Sequence, residues 1–539
     1  MGRPVVAVDV PGQSRRVKSA LPAKPTAIRC GLLIALAVVT AGRTYIAGRQ
    51  LGMSTTLSTR VTFYALPYAV SHRYFGTRGY VILRDVADLF VHTHPNVTNE
   101  TLTQSIALSP SSERLMFIPG DDKGDADFAV LALRLFGMRV ESLYYLWFAL
   151  YFVGSFLFLI GWWNQEAPLV ALCLLTLSVY VAFYALPLTA ELGSIHNPRA
   201  FGVVSLVAVL DLSFALMYRQ PLTAARLCRV ILQAALIVFS VHVRGTELWQ
   251  VVAIAGVGAW CFVRDRSSLA SLWPCTVLVV VLAGLGVCQR LAADRVYRET
   301  QLDHRVVWHN IGIGFAVNPN LAEKYSLYLD DLPMIKLIHR YLLARNRESE
   351  IDLLFRTPGH EEYLFLGITK DFYRYERVAR EVVLSIVWNN KRSALRTFAF
   401  DKPRVLLMQL AWAMGYRGFS VDEMHLEGQI GHIASDEARE HGSIYLAPFR
   451  RWAVGGLIAT LLLGGVGVQR RGEYAGLATL SVWLYVISLA PMIVAYPIIS
   501  AMAVVFATLS FVALASCACL SSIAISRFTR PASSSGRGA

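Results

Sequence analysis

The stretch Ser142-Leu143-Tyr144-Tyr145-Leu146-Trp147-Phe148-Ala149-Leu150-Tyr151-Phe152-Val153-Gly154-Ser155-Phe156-Leu157-Phe158-Leu159-Ile160-Gly161-Trp162-Trp163 carries no charged side chain. As an α-helix rising about 1.5 Å per residue it spans roughly 33 Å, enough to cross a hydrocarbon core of about 30 Å. Nine further apolar segments lie around it, at 28–47, 167–190, 200–218, 228–243, 248–263, 271–288, 452–468, 474–495 and 497–525. They predict an all-α polytopic membrane protein with about ten transmembrane helices. Composition agrees: 55% of the 539 residues are hydrophobic and 16% charged, with a mean hydropathy of +0.47. Soluble domains usually carry about 25% charged residues.

Segment 28–47 contains Arg43 and follows the basic residues Arg15, Arg16, Lys18 and Lys24. That order resembles a signal peptide. No small-x-small cleavage site follows, so an uncleaved anchor is expected.

Orientation follows from lysine and arginine in the short loops. With the N-terminal tail 1–27 in the cytoplasm, Arg219 and Arg226, Arg264 and Arg266, Arg470 and Arg471, and the tail arginines Arg527, Arg530 and Arg537 all fall inside. No even-numbered alternative gathers these clusters on one side. Most of the net charge of +14 resides there. The positive charge therefore reads as topology and attraction to anionic lipid, and no nucleic-acid partner is expected. All twelve histidines fall toward the opposite face. The expected location is a bacterial inner or plasma membrane with both termini cytoplasmic. The eight cysteines lie in or beside the spans, so no disulfide framework is expected outside.

The chain divides into the tail 1–27, a first span 28–47, a first extracytoplasmic loop 48–141, a six-helix block 142–288, a large extracytoplasmic domain 289–451, a three-helix block 452–525 and a tail 526–539 expected to be disordered. Both large outer segments read as mainly helical. Residues 128–140 and 405–414 suit helices lying on the membrane surface. Charged, helix-favouring sequence covers 334–356 and 372–398.

The sharpest local feature is Asp121, Asp122, Asp125 and Asp127, four carboxylates within seven residues beside Lys123. They repel one another unless a divalent cation such as Mg or Mn, a basic partner or bound protons offset the charge. Such a cluster could hold a metal, or it could form an acidic turn that caps the next helix with Asp127 as N-cap. Asp85 and Asp88 share a helical face beside Arg84, which suits a general base or a surface ion pair. The short outer turns hold Glu191, His196 and Arg199, and then Arg244. The two arginines could bind a phosphate or salt-bridge one another's neighbours. In Trp308-His309-Asn310-Ile311-Gly312-Ile313-Gly314, His309 could serve as acid or base, with Asn310 on substrate, or the stretch could be a structural turn. Asp211 is an isolated carboxylate within a span, expected to pack into the bundle or reach the inner surface. Its isolation argues against a secondary transporter.

This layout resembles the GT-C superfamily of membrane glycosyltransferases: a multi-pass bundle, an acidic first outer loop with surface helices, and outward-facing chemistry. The resemblance implies a base or metal ligand among Asp85, Asp88 and the Asp121–Asp127 group, with Asp121 and Asp122 as catalytic candidates. It also implies a polyprenyl-phosphate-linked sugar as donor, a glycan or lipid acceptor, and the bilayer itself as partner. Two other functions fit the layout. One is an O-antigen ligase- or polymerase-like enzyme acting on undecaprenyl-pyrophosphate glycans through the 289–451 segment. The other is a non-catalytic membrane assembly or transport component. Residues 308–314 also resemble sequence from bacterial membrane proteins of uncharacterised activity, which implies no chemistry.

Overall fold

The computed structural model describes residues 60–94, 97–109, 115–118, 120, 123–185, 198–265, 269–299, 304–329, 331–355, 372–406 and 473–495, with 508, 509, 512 and 516. The expected spans 28–47 and 452–468 lie outside the described residues. So does most of 497–525, and so do residues 407–414 of the expected surface helix.

The described chain is helical apart from one two-stranded antiparallel ladder. After a π-helical turn at Val61–Ala65 come α1 (Leu66–Phe75), β1 (Val81–Leu83), α2 (Arg84–Thr93), α3 (Asn99–Ala107) and β2 (Leu115–Phe117). The strands pair Val81 with Phe117 and Leu83 with Leu115. Next come α4 (Lys123–Phe136), α5 (Ser142–Trp162), α6 (Glu166–Ala185), α7 (Pro198–Met217), α8 (Ala224–Val243), α9 (Leu248–Asp265) and α10 (Trp273–Ala292). Short α11 (Arg295–Glu299), α12 (Trp308–Ile313) and α13 (Pro319–Tyr325) lead to α14 (Asp331–Leu343), α15 (Glu348–Phe355), α16 (Phe372–Asn389) and α17 (Lys391–Arg396). Finally α18 (Glu473–Ser488) and α19 (Ala490–Val494) form one nearly continuous rod.

Among the described residues, five stretches are long and apolar enough to cross a membrane: Ser142–Trp162, Ala224–Val243, Gly245–Arg264, Leu269–Ala292 and Gly476–Val494. Helix α7 is the central strut, packed on α5, α8 and α9. Val203, Val204, Ala208, Val209, Leu212 and Phe214 are all enclosed, which is why its sequence is apolar all round. By contrast, only 17% of the α10 window is buried, against 44% in each of the other four. That places α10 at the rim of the bundle and leaves its end open to a neighbouring layer.

Asp211 packs into the bundle. Its carboxylate accepts from Trp162 Nε1 at 2.8 Å and Gln233 Nε2 at 3.0 Å, and Arg229 lies 3.4 Å away.

A second core joins the two loop segments. Tyr68, Tyr80 and Ile82 of the first segment pack with Tyr297, Phe315, Met334, Ile338, Tyr375 and Val378 of the second. The two long loops thus form one helical layer over the ends of α8 and α10. The expected surface helix 128–140 corresponds to α4, which begins earlier and packs between α1, α5 and α8. Asp127 therefore sits in its second turn and is not its N-cap.

Lys402 ties this layer to the last rod. Its ammonium donates to the carbonyls of Val494 (3.0 Å) and Ala495 (2.6 Å), at the C-terminal end where a helix favours cations. Burial pushes its pKa down to about 7. Below pH 7 the amine is charged folded and unfolded alike, and the cost of burying the charge is felt in full. As pH rises from about 7 toward the ordinary lysine range the folded state sheds its proton first, so stability increases. Lys402→Met is expected to flatten that rise, worth on the order of a few kcal/mol. Thermal unfolding in detergent at several pH values checks it; equal slopes in both proteins would contradict it.

Candidate active site

A cleft of about 850 Å³ opens where α4, the end of α10 and α16 meet. Helix α10 contributes Gly286, Gln289 and Arg290 to its wall, Lys123 comes from the start of α4, and α16 supplies Glu376, Arg377, Arg380 and Glu381. Arg298, His304 and Arg305 come from the connection between α10 and α12. Among the described residues, six permanent cations thus face two carboxylates. Arg290 lies near the end of Leu269–Ala292, a stretch long and apolar enough to cross a membrane.

The local sequence explains the arrangement. Gly124 has no side chain, and a Cβ there would fall 2.2 Å from the His242 carbonyl. The start of α4 can therefore rest directly on the end of α8, which brings Asp127 to His242. Gly79 has φ +65°, and a Cβ on it would collide with the backbone of Asp294. Tyr80 follows at φ +72°. That is a strained conformation for a bulky residue, and it persists only where surrounding structure imposes it.

The strain delivers the Tyr80 hydroxyl to Asp127, where it donates to Oδ2 at 2.9 Å. His242 Nε2 lies 2.7 Å from the same oxygen, and Gln289 Nε2 lies 2.5 Å from His242 Nδ1. With the amide so placed, Gln289 donates to Nδ1, leaving the ring proton on Nε2 for Asp127. Asp127 is 36% exposed and His242 3%. Asp127 Oδ1 has no hydrogen-bond partner among the described residues, so one oxygen is held and the other is free to accept a proton. Burial, followed by the Asp127 charge and hydrogen bond, keeps the Tyr80 phenol far above its usual range. The same two causes, burial and the Asp127 charge, push Tyr68 up to about 12. Lys123 lies over the Tyr80 and Tyr297 rings at 6.0 and 5.8 Å.

Across the cleft, the Glu376 carboxylate accepts the backbone N–H groups of Val307, Trp308 and His309 at 2.8, 2.7 and 3.0 Å. It thereby caps the start of α12. Burial raises its pKa, against the pull of those three donors.

The sequence-derived candidates divide accordingly. Lys123 lines the cleft, and Asp127 is linked to its wall through His242 and Gln289. Arg244 stands nearby: its Nε donates to Thr246 at 2.8 Å, and the adjacent Gly245 lies against the Arg305 guanidinium. Arg305 in turn donates to the carbonyls of Val241 and His242. Arg84, Asp85 and Asp88 lie on α2, outside the cleft wall. His309 is fully buried, with Nδ1 2.7 Å from the Tyr375 hydroxyl and Nε2 3.0 Å from Asp331. Both ring nitrogens are thus engaged in the core of the helical layer. Asn310 donates to the Val306 carbonyl at 2.6 Å.

Asp125 is buried, whereas Asp127 points roughly 200° around the helix from it. Among the described residues no group of three or more His, Cys, Asp or Glu is placed to hold a metal. Asp121, Asp122, Glu191 and His196 lie outside the described residues, and Arg199 is described in its backbone alone. Sequence reasoning missed His242, which looked like the tail of an apolar span, and the arginines spread between 298 and 380. In the comparisons with known proteins no family model matches the chain, and no curated protein or solved structure matches it either.

Proposed function

We propose that the chain is a membrane glycosyltransferase that takes a sugar from a polyprenyl-phosphate donor at the extracytoplasmic face of a ten-span bundle, with both termini in the cytoplasm. The cationic cleft at the end of α10 is the observation that carries this reading. A lipid phosphate there would meet guanidinium groups from two walls, in a setting where charge-assisted hydrogen bonds are strong. Asp127 is the described carboxylate best suited to act as base. An acceptor hydroxyl gives its proton to Oδ1, and its oxygen bonds to the anomeric carbon. The bond from that carbon to the phosphate oxygen breaks, and the leaving phosphate takes the electron pair, stabilised by Arg290, Arg377 and their neighbours. His242 and Tyr80 hold the carboxylate in place. A divalent cation held by Asp121 and Asp122 belongs to the same proposal; no step above is assigned to it.

One observation favours the second reading, a ligase- or polymerase-like enzyme acting on pyrophosphate-linked glycans: five of the six cleft cations among the described residues come from residues 290–380. Two phosphates would use that many better than one. Donors carrying one or two phosphates, offered to the reconstituted chain, separate the readings by which one yields product.

Asp127→Asn is expected to lower transfer by about 100-fold or more while lipid binding stays within about twofold. Product formation and donor binding, measured on one preparation, check this. Unchanged glycan products from the variant would remove Asp127 from the mechanism.

A further inference from the structure

Helices α16 and α17 and the π-helical turn Thr397–Asp401 leave one face bare. Leu384 and Trp388, four residues apart, share one face of α16, and Leu395 and Phe400 follow on α17 and the π-helical turn, beyond the non-helical Asn390. Trp388 is 73% exposed, Leu395 71% and Phe400 70%. The other side, with Val383, Ile386, Ala394 and Thr397, is buried. Single exposed apolar residues are ordinary, but a contiguous stripe of them marks a contact surface.

The charge within the stripe is basic, with Glu381 and Asp401 at its two ends. Lys391, Arg392 and Arg396 are exposed beside it, Arg396 lying 3.4 Å from Asp401, and no Asp or Glu occurs from Val382 to Phe400. The Lys391 ammonium lies 4.0 Å over the Trp388 ring. An aromatic and aliphatic face edged with cations is the pattern of a helix lying in a membrane interface. Position supplies a separate argument. Two residues beyond Phe400, Lys402 holds the carbonyls of Val494 and Ala495, where the span Gly476–Val494 ends. The stripe is thus tethered at the level where the hydrocarbon core gives way to head groups.

We infer that the Leu384–Phe400 face is a membrane-interface anchor for an anionic leaflet. Trp388, Leu395 and Phe400 enter the boundary between acyl chains and head groups, and Lys391, Arg392 and Arg396 lie on the lipid phosphates. The anchor fixes α16, and with it one wall of the cleft, against the bilayer. It rests on the chain's being a membrane protein and is independent of the transferase reading.

The test uses the full chain in mixed phosphatidylcholine–phosphatidylglycerol vesicles. Trp388→benzoylphenylalanine, Leu395→benzoylphenylalanine and Phe400→benzoylphenylalanine are each irradiated, with Arg345→benzoylphenylalanine as the exposed control. Phospholipid adducts at the three stripe positions should exceed the control by about tenfold. Phosphatidylglycerol should be captured beyond its share of the mixture, and Lys391→Gln, Arg392→Gln and Arg396→Gln together should erase that preference. Adducts to another segment of the chain or to a second copy would overturn the inference, as would lipid adducts no higher than the control.

Discussion

Replacing Asp211 with Ala should lower stability by about 3–5 kcal/mol, because it leaves the Arg229 guanidinium buried without its carboxylate. Arg229 is 8% exposed, donates to Gln220 at 2.6 Å and lies 5.3 Å over the Trp162 ring. The drop corresponds to roughly 3–4 °C in apparent melting temperature for a chain of this size. Adding Arg229→Leu should restore much of the loss, since removing both charges of a buried pair costs far less than removing one. Heating the detergent-solubilised variants and following the fraction that stays monodisperse checks both statements. An Asp211→Ala protein as stable as the parent would show that the pair is not what holds α5, α7 and α8 together there.

The second large effect belongs to the cleft. Arg290 and Arg377 stand on different elements, α10 and α16, so one substitution does not remodel the other's wall. Each change to Gln should lower transfer on the order of 100-fold, the usual cost of removing one donor to a developing anion. The double variant should fall short of the product of the two if both contact one phosphate, because neighbouring sites are not additive. Stability should stay near that of the parent, since both side chains lie at the cleft surface. Initial rates with a fixed polyprenyl-phosphate sugar measure this. Full activity in both variants would leave the cleft without a role.

The bundle was legible in the sequence because apolar runs near the bilayer's thickness have few other uses. Helices stand in the described parts of 142–163, 167–190, 200–218, 228–243, 248–263, 271–288 and 474–495, and five stretches among the described residues meet the length and hydropathy of a span. The site was legible only in part. Asp127 and Lys123 stood out through the local crowding of charge. Their partners did not, because His242 and Gln289 are separated from them by more than a hundred residues and end apolar helices. His309 looked chemical beside two glycines, yet its partners Asp331 and Tyr375 are distant in sequence, and burial gives the ring a packing role. Asp211 was visible as a carboxylate in a span, but Arg229 could equally mark a cytoplasmic helix edge. Pairings across helices are set by packing, which leaves no local periodicity to read.

Binding of undecaprenyl phosphate to the full chain in nanodiscs decides whether the cleft holds a lipid phosphate. The parent should bind it in competition with inorganic pyrophosphate. The Arg290→Gln, Arg377→Gln double variant should bind about 30-fold or more weakly, and Asp127→Asn should bind as the parent does. Equal binding by the parent and the double variant would contradict the assignment of the cleft to a lipid phosphate.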